Sequence, residues 1–547
     1  MAGGLLNIKA HGQANIFIFG NPQKTMFKAV YKSITNFGMQ RMRVDFIGNT
    51  ALMLTRESTF EFTIPRHADM VGDTYLCVTL PDVWSPFMRD TTNSNKIVET
   101  NFRWIKEIGT NMIKEVRIFS GSHTLATYTG EYFAMLAHRD EAKKKKLWDE
   151  MTGNIPELYD PGNAFGRQGN YPNSLYLEGD IMPEPSIRGR KLYIPLDTWF
   201  SRGSKMAFPL VALQYNDFNI TITLRPVLEL FTIRDIGDPS NNYPYLSPQH
   251  ITNPTSINTE IFFRPPEKLD TSISTTEPGI AWDPDIHLMS TYYFLSKEER
   301  RKIAREEQNF LVKDLHRHTF LNATGPQTYR LYSMGLVTAY SFRFRRSDAF
   351  MRNEWSNYTN WPYEQLPYNI QFIEDISSSL VDTDMSFSQL VNNCVFVNSE
   401  EEPVNEKYVL KELALLLDGR FRETDLDAGI YQYIEPYART NTNIYNKEGL
   451  YYYSFATNMS SREYQPTGAL NMDAFQLIQF QYDTIRPPLY DGSNANVRTI
   501  CDIDGNVIGI RKNIWDLKEY NFDLEIFEER YNVVRLIGGN VGMYFAR

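Results

Sequence analysis

Apolar and polar residues alternate with a period of two over most of this chain, the pattern of β-strands that bury one face. In Ser58–Ile64 the side chains of Phe60, Phe62 and Ile64 share a face, and in Asp73–Leu80 those of Leu76, Val78 and Leu80 lie opposite Tyr75 and Cys77. The same reading predicts strands over Lys191–Pro195, Phe218–Leu224, Leu336–Phe344, Gly449–Phe455, Ala474–Tyr482, Val507–Lys512 and Tyr531–Leu536, so strands outnumber helices several-fold. Asp504-Gly505, between Ile503 and Asn506, is a two-residue hairpin signal, because both turn positions need a positive φ.

Two stretches leave this rhythm for a helical one. Glu131–Met151 has helix-forming composition and carries the basic run Lys143–Lys146. Ser296–Phe310 opens on a capping box in which Ser296 accepts from the amide of Glu299 while the Glu299 carboxylate reaches back. Standing between the strand-like Thr291–Phe294 and Val312–Leu321, this helix is the natural connector of two β domains. Phe231–Asp285 is different again, with 8 of the 28 prolines in 55 residues. Because proline cannot donate to a sheet ladder, an extended loop is expected there, with at most a short strand at Glu260–Arg264. Loops of this length are usually functional, and the expectation is an exposed crown. No sequence repeat is visible, so any duplication is one of structure alone.

Composition adds limits. A chain of 547 residues exceeds the roughly 250 to 300 that one core serves, so two large domains are expected. With 42% apolar residues, 34 Phe and 33 Tyr, wholesale disorder is ruled out. Lys and Arg number 56 against 66 Asp and Glu, a net charge of −10, which argues against direct packaging of nucleic acid. Cys77, Cys394 and Cys501 lie too far apart to suggest a metal or redox pair and read as buried thiols in a reducing compartment. The first twenty residues lack the plan of a secretory signal, Ala2 breaks the myristoylation pattern, and no apolar run approaches the roughly 18 residues that span a bilayer. A chain made and kept in the cytosol, unless a partner carries it elsewhere, is the expectation.

Gly20-Asn21-Pro22-Gln23-Lys24-Thr25-Met26-Phe27-Lys28-Ala29-Val30-Tyr31, continuing to Thr35-Asn36-Phe37, resembles the opening of the major capsid proteins of nucleocytoplasmic large DNA viruses. Further motifs resemble that family in matching order: Leu192–Leu196 with Trp199-Phe200, Pro209–Tyr215, Tyr292–Leu295 with Glu298–Arg301, Leu417–Phe421, Tyr453–Ala456, Gln465–Gly468 with Asn471, Tyr531–Leu536, and Gly538-Gly539. Phe231–Asp285 is longer than the family's usual connection, and Thr467-Gly468-Ala469 stands where Ser-Gly-Thr is frequent; these departures bear on surface decoration, not on the fold. The resemblance implies an all-β double jelly roll, two eight-stranded antiparallel sandwiches in one chain with short helices and long loops. It further implies a homotrimer forming a pseudo-hexagonal capsomer that tiles an icosahedral shell. The expected divisions are an arm over 1–25, a first jelly roll over 26–295 including the loop 231–285, a helical connector over 296–310 and a second jelly roll over 311–547.

Candidate chemistry is sparse, and for each candidate the structural reading outweighs the catalytic one. His316 and His318 point the same way on one strand and could share a metal, but no third ligand motif is near and Arg317 stands opposite. Asp502, Asp504 and Asn506 resemble a calcium loop, yet Gly505 is misplaced and no terminal Glu follows. Gly538-Gly539-Asn540-Val541-Gly542 lacks nucleotide-loop spacing and a following helix. Lys143–Lys146 reads as a solvated helix face or a rim charge rather than a nucleic-acid or lipid site. The sequons at Asn219, Asn322, Asn357 and Asn458 read as chance matches without a secretory route. No catalytic, cofactor or metal residue is therefore expected.

The function that follows from the resemblance is structural: a major capsid protein in the virion shell, assembled in the host cytoplasm. Its expected partners are other copies of itself, neighbouring capsomers, minor capsid and penton proteins, and the inner viral membrane. A carbohydrate-binding or carbohydrate-cleaving β-sandwich protein is the alternative, since jelly rolls serve those roles too. The apolar run Ile16-Phe17-Ile18-Phe19 is too short to form a core and too apolar to stay in water, so the arm is expected to order against another surface.

Overall fold

The computed structural model describes residues 13–48, 50–89, 97–140, 144–175, 183–236, 244–251, 259–266, 282–364, 407–440, 447–487, 497–501, 507–512 and 520–545. Within them the chain folds into two β-sandwiches built to one plan. In the first, Phe37–Asp45, His287–Leu295, Met70–Leu80 and Arg190–Pro195 form one antiparallel sheet, and Ser58–Ile64, Phe218–Leu224, Ile113–Ser120 and His123–Tyr128 form the other. Counting these eight strands along the chain, the sheet orders are 1-8-3-6 and 2-7-4-5. The second sandwich repeats both orders, with Gln308–Phe320, Phe522–Ile537, Leu336–Arg346 and Leu450–Ser454 in one sheet and Gln327–Leu331, Ile478–Thr484, Leu410–Leu417 and Arg420–Asp427 in the other. This is the jelly roll, present twice, and the duplication is in topology without a matching sequence repeat.

Alternation explains how each sheet finds its partner. Phe60, Phe62 and Ile64 from one sheet and Leu76, Val78, Leu192 and Ile194 from the other share the first core. Tyr340, Phe342, Phe344, Leu524 and Ile526 meet Leu413, Leu415, Phe480 and Tyr482 in the second. The strands at Ser58–Ile64 and Phe218–Leu224 have the predicted bounds, while Tyr531–Leu536 is the end of a much longer strand, Phe522–Ile537. The strand predicted from Ala474 starts at Ile478, because Asn471 caps a helical turn over Met472–Ala474. Val507–Lys512 pairs with Val497–Cys501, while the turn residues Asp504-Gly505 and Asn506, with Asp502, lie outside the described residues, as does Cys394.

The helices depart from expectation in their ends. Of Glu131–Met151, the described residues lie in the helices Gly130–Asp140 and Lys145–Thr152. The connector helix runs over Lys297–Arg305, with Ser296 accepting from the Glu299 amide at 3.4 Å. It ends five residues short of Phe310, because Gln308–Phe320 is drawn into a thirteen-residue pairing with Phe522–Ile537. The larger correction concerns Phe231–Asp285. Phe231–Arg234 is a strand paired with Phe102–Trp104 and with Tyr245–Leu246, and Thr259–Phe263 is a helical turn rather than a strand. Phe231, Phe262, Phe263 and Trp282 pack on Phe102 and Trp104. Aromatic anchors thus hold the described parts of this proline-rich stretch in the first core, where a count of prolines and polar residues predicts an exposed crown.

Candidate functional site

The strand Leu336–Arg346 has apolar rings on one face and charges on the other, which ordinarily marks a half-exposed strand. Phe342 and Phe344 do face the second core. Arg343 on the opposite face is nevertheless buried, because helix Gly130–Asp140 of the first sandwich lies across that side of the sheet. Tyr132 of the helix packs on Phe527 at 5.9 Å between ring centroids and donates to Glu529 Oε1 at 3.0 Å. Both faces of this sheet are therefore interior, and the two sandwiches join along a continuous seam.

The seam is ionic at its centre. Arg343 bonds both Glu131 of the first sandwich and Glu525 of the second, and Arg345 and Arg225 reach the other Glu131 oxygen at 2.9 and 3.2 Å. Beside them Arg139 pairs with Glu529 at 2.8 Å, and Asp140 accepts from the Ser461 hydroxyl at 2.6 Å and its amide at 3.0 Å. Lys313 donates to the carbonyls of Met459 and Ser460 at 2.9 and 3.0 Å. A third group joins Glu107 to His138 at 2.8 Å and to Lys447 at 2.9 Å. Burial raises the Glu107 carboxyl, but Lys447 and His138 outweigh it and hold the group well below the usual carboxylate range. Burial also pulls Lys313 down to about 8 against the opposing pull of Glu529. Lone charges here would be costly; in these groups each finds a partner on the opposite sandwich or in its own.

Other contacts extend the joint. The Gly538-Gly539 turn joins Phe522–Ile537 to Asn540–Met543 with both φ values positive, and the Gly539 carbonyl accepts from Gln214 of the first sandwich at 2.9 Å. A cavity of about 300 Å³ opens beside the seam, lined by Arg103, Lys106, Asp160, Arg352 and Glu354 among others. Its cations already have carboxylate partners: Arg103 with Asp160 at 3.5 Å, Lys106 with Glu364 at 3.2 Å and Arg352 with Asp348 at 2.7 Å.

The arm is the opposite of the seam. Every described side chain from Gln13 to Arg41 is exposed, including Ile16, Phe17, Ile18 and Phe19 on the short helix Gln13–Phe19 and Met26, Phe27, Val30, Tyr31 and Ile34 beyond it. So many exposed apolar side chains in sequence mark a surface that meets another.

Candidates singled out for chemistry take structural places. His316 and His318 do lie together, with ring centroids 4.7 Å apart, but His318 bonds Glu528 at 2.8 Å and Arg317 reaches Glu525 on the other face at 3.4 Å. Among the described residues no group of three metal-ligating side chains gathers. Cys77 is buried, and burial pushes its thiol up to about 11. In the basic run Lys144 and Lys146 are exposed, while Lys145 between them is buried and paired with Asp149. Asn357 and Asn458 are buried, and Asn219 accepts from Thr63 at 2.8 Å within the sheet. Charge at period two hides the seam residues in the sequence, since Arg343, Glu525 and Glu529 look like solvent-facing positions.

Two jelly rolls in one chain, fused through a buried seam, define the class of double jelly-roll proteins. Residues 25–249 match the family described as "Major capsid protein N-terminus". "Probable capsid protein 4" of Acanthamoeba polyphaga mimivirus is 32% identical over 43% of this chain and 40% of its own length. "Major capsid protein" of Chrysochromulina ericina virus is 26% identical over 58% of this chain and 52% of its own length. The chain thus spans between two fifths and about half of these curated relatives. Among solved structures, "PBCV-1 virus capsid, quasi-atomic model" superposes over 96% of this chain and 100% of its own at 15% identity and a TM-score of 0.57. "Faustovirus major capsid protein" does so over 96% and 94% at 11% identity and a TM-score of 0.58. The fold is the double jelly roll, and over part of its length the chain is similar in sequence to these viral capsid proteins.

Proposed function

We propose that this chain is a structural subunit of a viral shell, the major capsid protein of a large double-stranded DNA virus, located in the virion and assembled in the host cytoplasm. The observation that carries the reading is the fusion of two like sandwiches through a buried seam, which makes one chain a rigid two-lobed block suited to tiling. Three such blocks form a pseudo-hexagonal capsomer, and capsomers tile an icosahedral shell. The reading divides the chain into an arm over 1–25, a jelly roll over 26–295, a connector from 296 and a second jelly roll extending to 547. The exposed arm supports a contact beneath the capsomer, with neighbouring subunits, minor capsid or penton proteins, or the inner membrane as its partner. Packed surfaces need no cofactor and no catalysis. Native mass measurement of the purified chain tests this: a species of about 190 kDa, three times 63.6 kDa, is expected. A monomer that binds glycans would favour the carbohydrate-binding alternative.

A further inference from the structure

The cavity beside the seam is built from both sandwiches. Arg103, Lys106 and Asp160 reach it from the first, and Arg352, Asn353 and Glu354 from the segment that follows Leu336–Arg346 in the second. Each cation is clasped between a carboxylate and an aromatic ring. Arg103 pairs with Asp160 and lies 3.7 Å from the centre of the Tyr245 ring, and Lys106 pairs with Glu364 and lies 5.3 Å from that of Tyr159. Arg352 pairs with Asp348 and lies 5.8 Å from the centre of the Tyr363 ring. Three positive charges thus stand against three negative ones. Burial raises the Glu354 carboxyl to about 7, so below that pH this fourth acid adds no charge and the site is balanced.

Two polar groups in this lining are left over. Asn353, 2% exposed, donates from Nδ2 to the carbonyls of Leu228 at 2.9 Å and Phe231 at 2.8 Å. Those two bonds fix which end of the amide is oxygen, and Oδ1 accepts from nothing among the described residues. Arg103 Nε likewise donates to nothing among them. A buried acceptor and a buried donor left open cost free energy unless something enters to meet them. The volume of about 300 Å³ holds about ten water molecules at roughly 30 Å³ each, and it stands at the lower end of ligand sites, about 300 to 1,000 Å³. Ten waters are far more than two open groups need, so satisfying those groups does not account for the space.

Charge and hydrogen bonding together select the occupant. An anion would bring an unbalanced charge to cations that are already paired, and a metal cation meets no group of three ligating side chains among the described residues. A hydroxyl both donates and accepts, so a compound carrying several can give a hydrogen to the Asn353 oxygen and take one from Arg103 Nε, with no charge to balance. We propose that this cavity binds one small neutral polyhydroxy compound, of the size of a single sugar or inositol ring. The inference goes beyond the reading of the chain as a shell protein and does not depend on it. Because the lining comes from both sandwiches, such a ligand braces the joint between them.

Calorimetric titration of the full chain below pH 7 tests this with glucose and myo-inositol, and with glycine and inorganic phosphate as the zwitterion and the anion. Saturable binding of one glucose or one inositol per chain is expected, with no saturable heat from glycine or phosphate. Asp160→Asn removes the charge that holds Arg103, and Asn163→Trp plugs the cavity from an exposed position in its lining. Each is expected to weaken binding about tenfold or more with the circular dichroism spectrum unchanged. Hydrogen exchange on the unaltered chain needs no variant, and the bound polyol is expected to slow it at 159–163 and 352–356. Neither polyol saturating, glycine or phosphate binding in their place, or polyol affinity unmoved in both folded variants would each overturn the proposal. Protection confined to other segments would overturn it too. Oligomer mass decides the shell reading separately, so either can fail without the other.

Discussion

Arg343→Met probes the seam at its centre. The arginine bonds Glu131 of one sandwich and Glu525 of the other, and its guanidinium lies 4.6 Å from the Tyr358 ring and 5.6 Å from that of Phe527. Methionine fills much of the volume but leaves two buried carboxylates short of a partner. Breaking a buried pair from one side costs about 3 to 5 kcal/mol. Glu131 keeps Arg345 and Arg225, and Glu525 keeps Arg317 at 3.4 Å, which places the expected loss near the lower end, about 3 kcal/mol. Urea denaturation followed by tryptophan fluorescence reads this, Trp355 being one of eight tryptophans and lying 4.5 and 5.4 Å from Arg225 and Arg345 at the seam. Adding Glu525→Gln to Arg343→Met should cost less than the sum of the two single changes, because the second removes a charge the first has stranded. A loss under about 1 kcal/mol for Arg343→Met, or strict additivity in the cycle, would refute the view that this arginine holds the sandwiches together.

Three further outcomes are expected. Burial raises the Glu354 carboxyl to about 7, so the folded chain holds its proton between about 4.5 and 7 while the unfolded chain does not. Its stabilising contribution is full below the unfolded value and is lost as pH rises through the folded one, by about 3 kcal/mol, and Glu354→Gln should flatten stability across that window in urea titrations from pH 5 to 8. Gly539→Ala sets a Cβ 2.9 Å from Gln214 and Tyr215 at a φ of +83°, whereas Gly538→Ala meets nothing within 4 Å. The first should therefore lower stability by about 2 to 4 kcal/mol and the second by about 1, and equal losses would remove the close approach as the cause. Ser296→Ala should cost about 1 kcal/mol by removing the cap of Lys297–Arg305, read as a shift in urea midpoint, with oligomer mass unchanged.

Legibility followed burial on one face. Ser58–Ile64 and Phe218–Leu224 could be read to the residue because each buries one face and wets the other. Asp418-Gly419 is a hairpin signal as clear as Asp504-Gly505, and in the structure its φ values of +49° and +75° turn Leu410–Leu417 into Arg420–Asp427. The seam was illegible because Glu525, Glu529 and Arg343 have the spacing of solvent-facing charges, and only the helix laid across them makes that face interior. In Phe231–Asp285 the described residues Phe231, Phe262 and Trp282 pack on Phe102 and Trp104, a placement that a count of prolines does not signal.

The most direct measurement is electron microscopy of the purified oligomer, averaged without imposed symmetry. A closed ring with three-fold symmetry and six lobes of similar size, alternating between two kinds, is the predicted result. A two-lobed particle, or a two-fold assembly that does not close into such a ring, would contradict the account.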